Sequence, residues 1–168
     1  MSRARGFTIV ELITVVVLLG ILSMVAVSRM VKPSAFAPGM VAQAIVAEAR
    51  IAQQRAASRG DALVTLTVDQ LGSDWRLVLS TDVDGVLRTQ LLEVGNTAVQ
   101  AHSGGAAATL DSATALRVDF DAEGNLATVL IGGVAGQPTT GVAMTINGDS
   151  DRDVCIYPTG YATQAACA

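Results

Sequence analysis

At 168 residues the chain is long enough for one domain with its own core plus one further segment, and too short for two ordinary domains. Hydrophobic residues make up 51% and aromatics only 4%, so the apolar content rests on alanine, valine and leucine, partly concentrated in the first 28 residues. Fifteen acidic residues face 11 basic ones, and without Arg3 and Arg5 the balance is 15 against 9, an acidity that argues against phosphate-driven nucleic-acid binding.

The first element runs from Phe7 to Ser28, where Glu11 is the only charged residue. As a helix rising 1.5 Å per residue, this stretch matches the roughly 30 Å hydrocarbon core of a bilayer. Arg3 and Arg5 precede it and Arg29 and Lys32 follow it, so flanking charge does not orient it. A secretory signal carries its small-residue cleavage site after the apolar core, whereas here Gly6 lies before it. Ala26 and Ser28 offer a weak conventional site, but that reading leaves Glu11 without a role. A charge at the middle of a membrane helix costs about 2.5–3.5 kcal/mol, which marks Glu11 as functional. The plainer alternative is a carboxylate near the membrane edge, snorkelling or favoured by the positive end of the helix.

The run GFTIVELITVVVLLGIL joins a basic leader ending in Gly6 to Phe7, Thr8 and a glutamate fifth after the leader. It resembles the type IV prepilin family. The resemblance implies that a prepilin peptidase and N-methyltransferase cuts between Gly6 and Phe7 on the cytoplasmic side and methylates the new amine of Phe7. It also implies that residues 7–30 remain as membrane anchor and filament-packing helix. Partners would be other pilin or pseudopilin subunits and an inner-membrane assembly platform, with the rest of the chain in the periplasm. In such families the glutamate pairs with the N-terminal amine of a neighbouring subunit, and opposite charges in a low dielectric strongly favour meeting. Family members often carry proline at the position of Ser28. Here Pro33 and Pro38, within KPSAFAPG, are expected to break or kink the helix instead.

From Met40 to Ser58, Val41, Ile45, Ala49, Ala52 and Ala56 recur at three or four, predicting an amphipathic helix that stops at Gly60. Arg50, Arg55 and Arg59 lie partly on one side of it and read as a solvated face, with phosphate contact as the alternative. After Asp61 the period changes to two. Val64, Leu66 and Val68, then Trp75, Leu77 and Leu79, flank the turn residues Gly72, Ser73 and Asp74 and predict a hairpin. Further strands are expected at 86–94, 116–120, 126–131, 142–146 and 154–157. Residues 101–115, rich in alanine, glycine and serine, are expected to form a mobile loop.

The expected fold class is therefore α+β: a cleaved leader at 1–6, a hydrophobic helix at 7–30, a proline-interrupted segment and amphipathic helix at 31–60, and an antiparallel β domain at 61–168. The succession EARIAQQRAASRGDALVTLTVD is similar to the minor pseudopilins of the H class. VCIYPTGYATQAAC resembles the end of minor pilins of the mannose-sensitive haemagglutinin pilus, particularly its C-type subunit.

Chemistry at the remaining polar residues reads thinly. His102, the only histidine, falls in a glycine-alanine stretch with little packing to hold a catalytic base, so no catalytic residue is expected. Cys155 and Cys167 lack the companion donors zinc needs, and their count favours one disulfide over two reduced thiols in a membrane-anchored, oxidising setting. Asn147, Asp149, Asp151 and Asp153, and separately Asp82 and Asp84, cluster oxygen atoms of the kind calcium uses, yet neither turn has the trailing bidentate glutamate of a complete calcium loop. No other cofactor is implied. The sequence thus reads as a minor pilin or pseudopilin of a type IV pilus-like or type II secretion filament, with a ligand-binding or adhesive filament-tip subunit, for a surface, DNA or calcium, as the alternative.

Overall fold

The computed structural model describes residues 8–30, 36–60, 62–94 and 97–167, without the side chains of 24–30. The chain divides into two units, 1–33 and 34–168. The first contains one helix, α1 (Ile9–Met30), which passes through Ser28 without interruption. The stretch 31–35, which includes Pro33, lies outside the described residues.

The second unit opens with helix α2 (Ala37–Arg59). Pro38 was expected to break or kink a helix, but it occupies the first turn of α2, where its missing N–H has no intrahelical acceptor to lose and its fixed φ suits the helix. At the other end Gly60 takes a left-handed φ of 67° and returns its N–H to the Ala56 carbonyl at 3.2 Å, closing the helix as the sequence predicts. Val41, Ile45, Ala49, Ala52 and Ala56 are all fully buried. Ala37, Ala42, Ala44 and Val46 are buried as well, giving a buried face wider than a single stripe.

Eleven strands follow in the described residues: β1 (Val64–Leu71), β2 (Asp74–Thr81), β3 (Gly85–Leu92), β4 (Ala98–Ser103), β5 (Ala106–Thr109), β6 (Leu116–Phe120), β7 (Leu126–Ile131), β8 (Val134–Ala135), β9 (Val142–Asn147), β10 (Arg152–Ile156) and β11 (Ala162–Thr163). They form two sheets in the orders β3-β2-β1-β6-β7-β8 and β11-β10-β9-β4-β5. All pairings are antiparallel. The predicted hairpin is present, with Leu71 opposite Asp74 across Gly72-Ser73. The unit is α+β, as the change of period at Asp61 indicates.

Helix α2 packs on β1, β2 and β6 of the first sheet and on β9, β10 and β11 of the second. Alanine at the contact positions lets both sheets approach the helix closely, and Leu66, Trp75, Leu77, Leu79, Phe120, Met144, Ile146 and Ile156 supply the bulk. The sheets also meet directly where β7 lies near β4 and β5. Glu48 of α2, whose side chain is 3% exposed, carries a charge into this core and pairs with Arg88 of β3 at 3.3 Å. Trp75 Nε1 donates to Thr97 Oγ1 at 2.7 Å, so the largest core side chain keeps its hydrogen bond.

The expected loop at 101–115 is a correction. Residues 98–103 and 106–109 form the β4–β5 hairpin, turning at Gly104-Gly105. Val99, Ala101 and Ser103 alternate inward, and small side chains there gave the period-two pattern little contrast. Beyond the hairpin, the Asp111 carboxylate accepts the N–H groups of Ala113 and Thr114 at 2.8 and 2.7 Å, which hold its carboxyl below the ordinary range and fix the turn.

A C-terminal clasp closes the unit. The structure joins Cys155 to Cys167 by a disulfide across a separation of 12 residues. Between them, Thr159 O accepts from Gln53 Nε2 at 2.7 Å and Ala162 O from Arg50 Nε at 3.0 Å, while Arg50 lies over the Tyr161 ring at 5.2 Å. Pro158 O accepts from Leu126 N at 2.9 Å. Gly160 has a φ of 75°, and a Cβ there would stand 2.0 Å from Gly124 O, so the backbone approach requires glycine.

Two expectations follow from this packing. Ala52→Leu forces about three further heavy atoms toward tightly packed strands, and should lower stability by about 1–3 kcal/mol, read as a lower thermal midpoint with unchanged far-UV circular dichroism. Reducing the disulfide, or replacing both cysteines by serine, should cost about 2–3 kcal/mol through the loop entropy regained by the unfolded chain, read by denaturant unfolding with and without reductant.

Candidate functional site

The apolar first unit holds the one sequence motif with a specific reading. At its start, Thr8 Oγ1 accepts the N–H of Glu11 at 3.3 Å, and Thr8 O accepts the N–H of Leu12 at 3.1 Å. This is the geometry of a threonine N-cap, which satisfies a donor the first helical turn leaves open. Glu11 stands in that first turn, where the positive end of the helix favours a carboxylate. Among the described residues no cation pairs with it.

Around Glu11 the helix surface is apolar and uncovered. Ile9 is 77% exposed, Val10 70% and Leu22 63%, with Leu12, Val16, Leu18, Leu19 and Ile21 similar. A helix hydrophobic all round is stable only when lipid or other protein surrounds it. Two hydroxyls interrupt the surface, and both turn inward. Thr14 Oγ1 donates toward the carbonyls of Val10 at 2.9 Å and Glu11 at 3.0 Å, and Ser23 Oγ to Leu19 O at 2.7 Å. Such back-bonding hides the polar groups from apolar surroundings, leaving the Glu11 carboxylate as the exception on the described part of the helix. Thr14 and Ser23 were not singled out in the sequence; their signal is a hydroxyl three or four residues after a carbonyl in an otherwise apolar run.

Residues 24–30 continue α1 in backbone. The side chains described on the helix run from Ile9 to Ser23, about 22 Å, and no helix among the described residues is long and apolar enough to cross a membrane. Gly6 and Phe7, the expected cleavage pair, lie outside the described residues.

The other sequence candidates fall in the second unit and do not converge. His102 is not in a loop; it is exposed on β4, facing a shallow depression of about 430 Å³ floored by Ala107 and Ala143 and edged by Gln100, Thr109 and Thr145. Its neighbour Ser103 points to the opposite face, where Oγ donates to Gln137 O and accepts Gln137 N–H, both at 3.1 Å. The two therefore cannot act as nucleophile and base.

The acidic turns are engaged within the fold. Asp151 accepts Gly148 N–H at 3.3 Å and Asp153 accepts the Thr145 hydroxyl at 2.9 Å, across the β9–β10 hairpin that also carries Asp149. Asp82 accepts Leu63 N–H at 3.0 Å, and Asp84 pairs with Arg59. Among the described residues no group of three or more histidine, cysteine or acidic side chains is placed to hold a metal ion. The arginines of α2 divide in the same way: Arg59 goes to Asp84 and Arg50 to the clasp, so the expected solvated face is in part a structural one.

Residues 1–27 match the family model of the prokaryotic N-terminal methylation motif. No curated protein and no solved structure matches the chain. The family match covers the leader, the capping Thr8 and the lone carboxylate Glu11, and the structure beyond it is a helix followed by an α+β unit. Residues 1–27 thus carry the N-terminal methylation motif of type IV prepilin-like proteins.

Proposed function

We propose that the protein is a minor pilin or pseudopilin, a structural subunit that enters a type IV pilus-like or type II secretion filament through residues 7–30. The observation that carries this reading is the single carboxylate in the first turn of a helix whose described apolar side chains are all exposed. Hydrolysis of the Gly6–Phe7 peptide bond by a prepilin peptidase creates the α-amine of Phe7, which the same machinery methylates. That amine offers Glu11 a cation, which the described residues do not.

In the bilayer, an unpaired carboxylate at this depth costs about 2.5–3.5 kcal/mol by analogy with aspartate. Meeting the amine of a neighbouring subunit offsets the cost and fixes one axial register, because sliding the helices by one turn separates the charges by about 5.4 Å. The surrounding aliphatic side chains are interchangeable with lipid and supply packing but little register. The subunit is anchored in the inner membrane with its α+β unit in the periplasm, and it works with other pilin-like subunits and an inner-membrane assembly platform. It performs no reaction itself.

Glu11→Val should insert and be processed as the native chain is, yet fail to co-purify with sheared filaments; normal incorporation would refute the register role. Gly6→Asp should leave the leader attached, visible as a heavier band on a gel and as a mass increase over the processed form.

A further inference from the structure

Helix α2 changes character along its length. Residues 33–47 carry no charge, and the exposed positions of the first turns are Phe36, Met40, Gln43 and Ala47, whereas the later turns expose Arg50, Gln54 and Arg59. Phe36 is 62% exposed and Met40 51%. The Phe36 backbone is already helical, with φ −95° and ψ −14°, so the two side chains stand four residues apart on one face and form a single apolar surface at the start of the helix.

Pro38, on the opposite side of that turn, is buried, and the β9–β10 turn packs on it at Gly148 so closely that a Cβ has no room. The same turn carries Asp149 and Asp151. The start of α2 therefore has an apolar side and an acidic side.

We propose that Phe36 and Met40 seat in the boundary between headgroups and acyl chains of the bilayer that holds α1, docking the start of α2 on the membrane surface. The inference rests on the membrane anchor proposed above. Phe36 lies seven positions after Arg29, the first charge beyond the apolar run, so the chain reaches at most about 25 Å from one to the other. The headgroup layer outside the hydrocarbon core is roughly 5–7 Å deep, well within that reach. Anchoring keeps the bilayer at high effective concentration beside this end of every subunit, so two side chains are enough for shallow insertion. Two side chains are far too few for a stable contact with a second copy. Charge sets the orientation, because the uncharged side meets lipid while Asp149 and Asp151 on the other side are kept from anionic headgroups.

Trp75, enclosed in the core, is the native chain's single tryptophan and supplies a fixed fluorescence background. Full-length Phe36→Trp, reconstituted in vesicles of phosphatidylethanolamine and phosphatidylglycerol with brominated acyl chains, should emit farther to the blue than Gln54→Trp and be quenched several-fold more. Gln54 is exposed about 27 Å farther along α2. Adding Met40→Asp should bring the quenching of Phe36→Trp down to the Gln54→Trp level, while the thermal midpoint stays that of Phe36→Trp alone. Equal quenching at the two positions, quenching unmoved by Met40→Asp, or a blue shift that follows protein concentration without quenching, the mark of a second copy as occupant, would each overturn the docking. Leu18→Trp, within the apolar run, separates the two readings: if it is quenched and Phe36→Trp is not, the docking fails and the anchor stands, whereas an unquenched Leu18→Trp removes both.

Discussion

The packing of α2 against both sheets at once is the constraint on which the second unit depends. A helix between two sheets must present apolar surface over most of its circumference, and it must be thin enough for both sheets to close on it. Ala42, Ala49, Ala52 and Ala56 provide that thinness, and all are fully buried. The cost is that the helix contributes little apolar volume of its own, so the core depends on long side chains reaching in from the strands. Trp75, with its indole held by Thr97, fills the largest share of that space.

The same constraint explains the polar contacts of α2. A helix enclosed from two directions leaves a narrow exposed strip, and Arg50 and Gln53 beside it use their polar ends to hold the carbonyls of Ala162 and Thr159. The clasp between Cys155 and Cys167 is thus attached to the helix as well as to its own strand. Glu48 meets the opposite problem. It points into the enclosed side and is stable there because Arg88, itself half exposed, reaches it from β3.

Much of this was legible in the sequence, and the limits have physical causes. Period-two alternation of large residues located β1 and β2, apolar runs bounded by glycine, asparagine or aspartate located β3, β6, β7, β9 and β10, and Gly60 marked the helix end. The β4–β5 hairpin was missed because alternation among alanine and serine changes hydropathy little, though Val99, Ala101 and Ser103 do point inward. β8 and β11 are two residues long, too short for any period. Nothing near Glu48 in sequence signals its burial, because its partner is 40 residues away, and Arg50 reads as part of a solvated face because Ala162 is 112 away. In each case the residue type was visible and the tertiary partner was not.

The two units solve the burial of polar groups in opposite ways, and this bears on how the chain can work. In the second unit the buried carboxylates of Glu48, Asp69 and Asp119 each have an arginine within the same chain. In α1 the hydroxyls of Thr14 and Ser23 are satisfied locally, yet the described residues offer Glu11 no cation. These buried carboxylates of the second unit are thus neutralised within it, while the described part of the first unit still calls for both an apolar surround and a positive charge. Lipid supplies the first and not the second. On the function proposed above, a neighbouring helix that begins with a freed amine supplies both, and one carboxylate in an aliphatic helix, rather than the aliphatic residues around it, then sets the specificity of assembly.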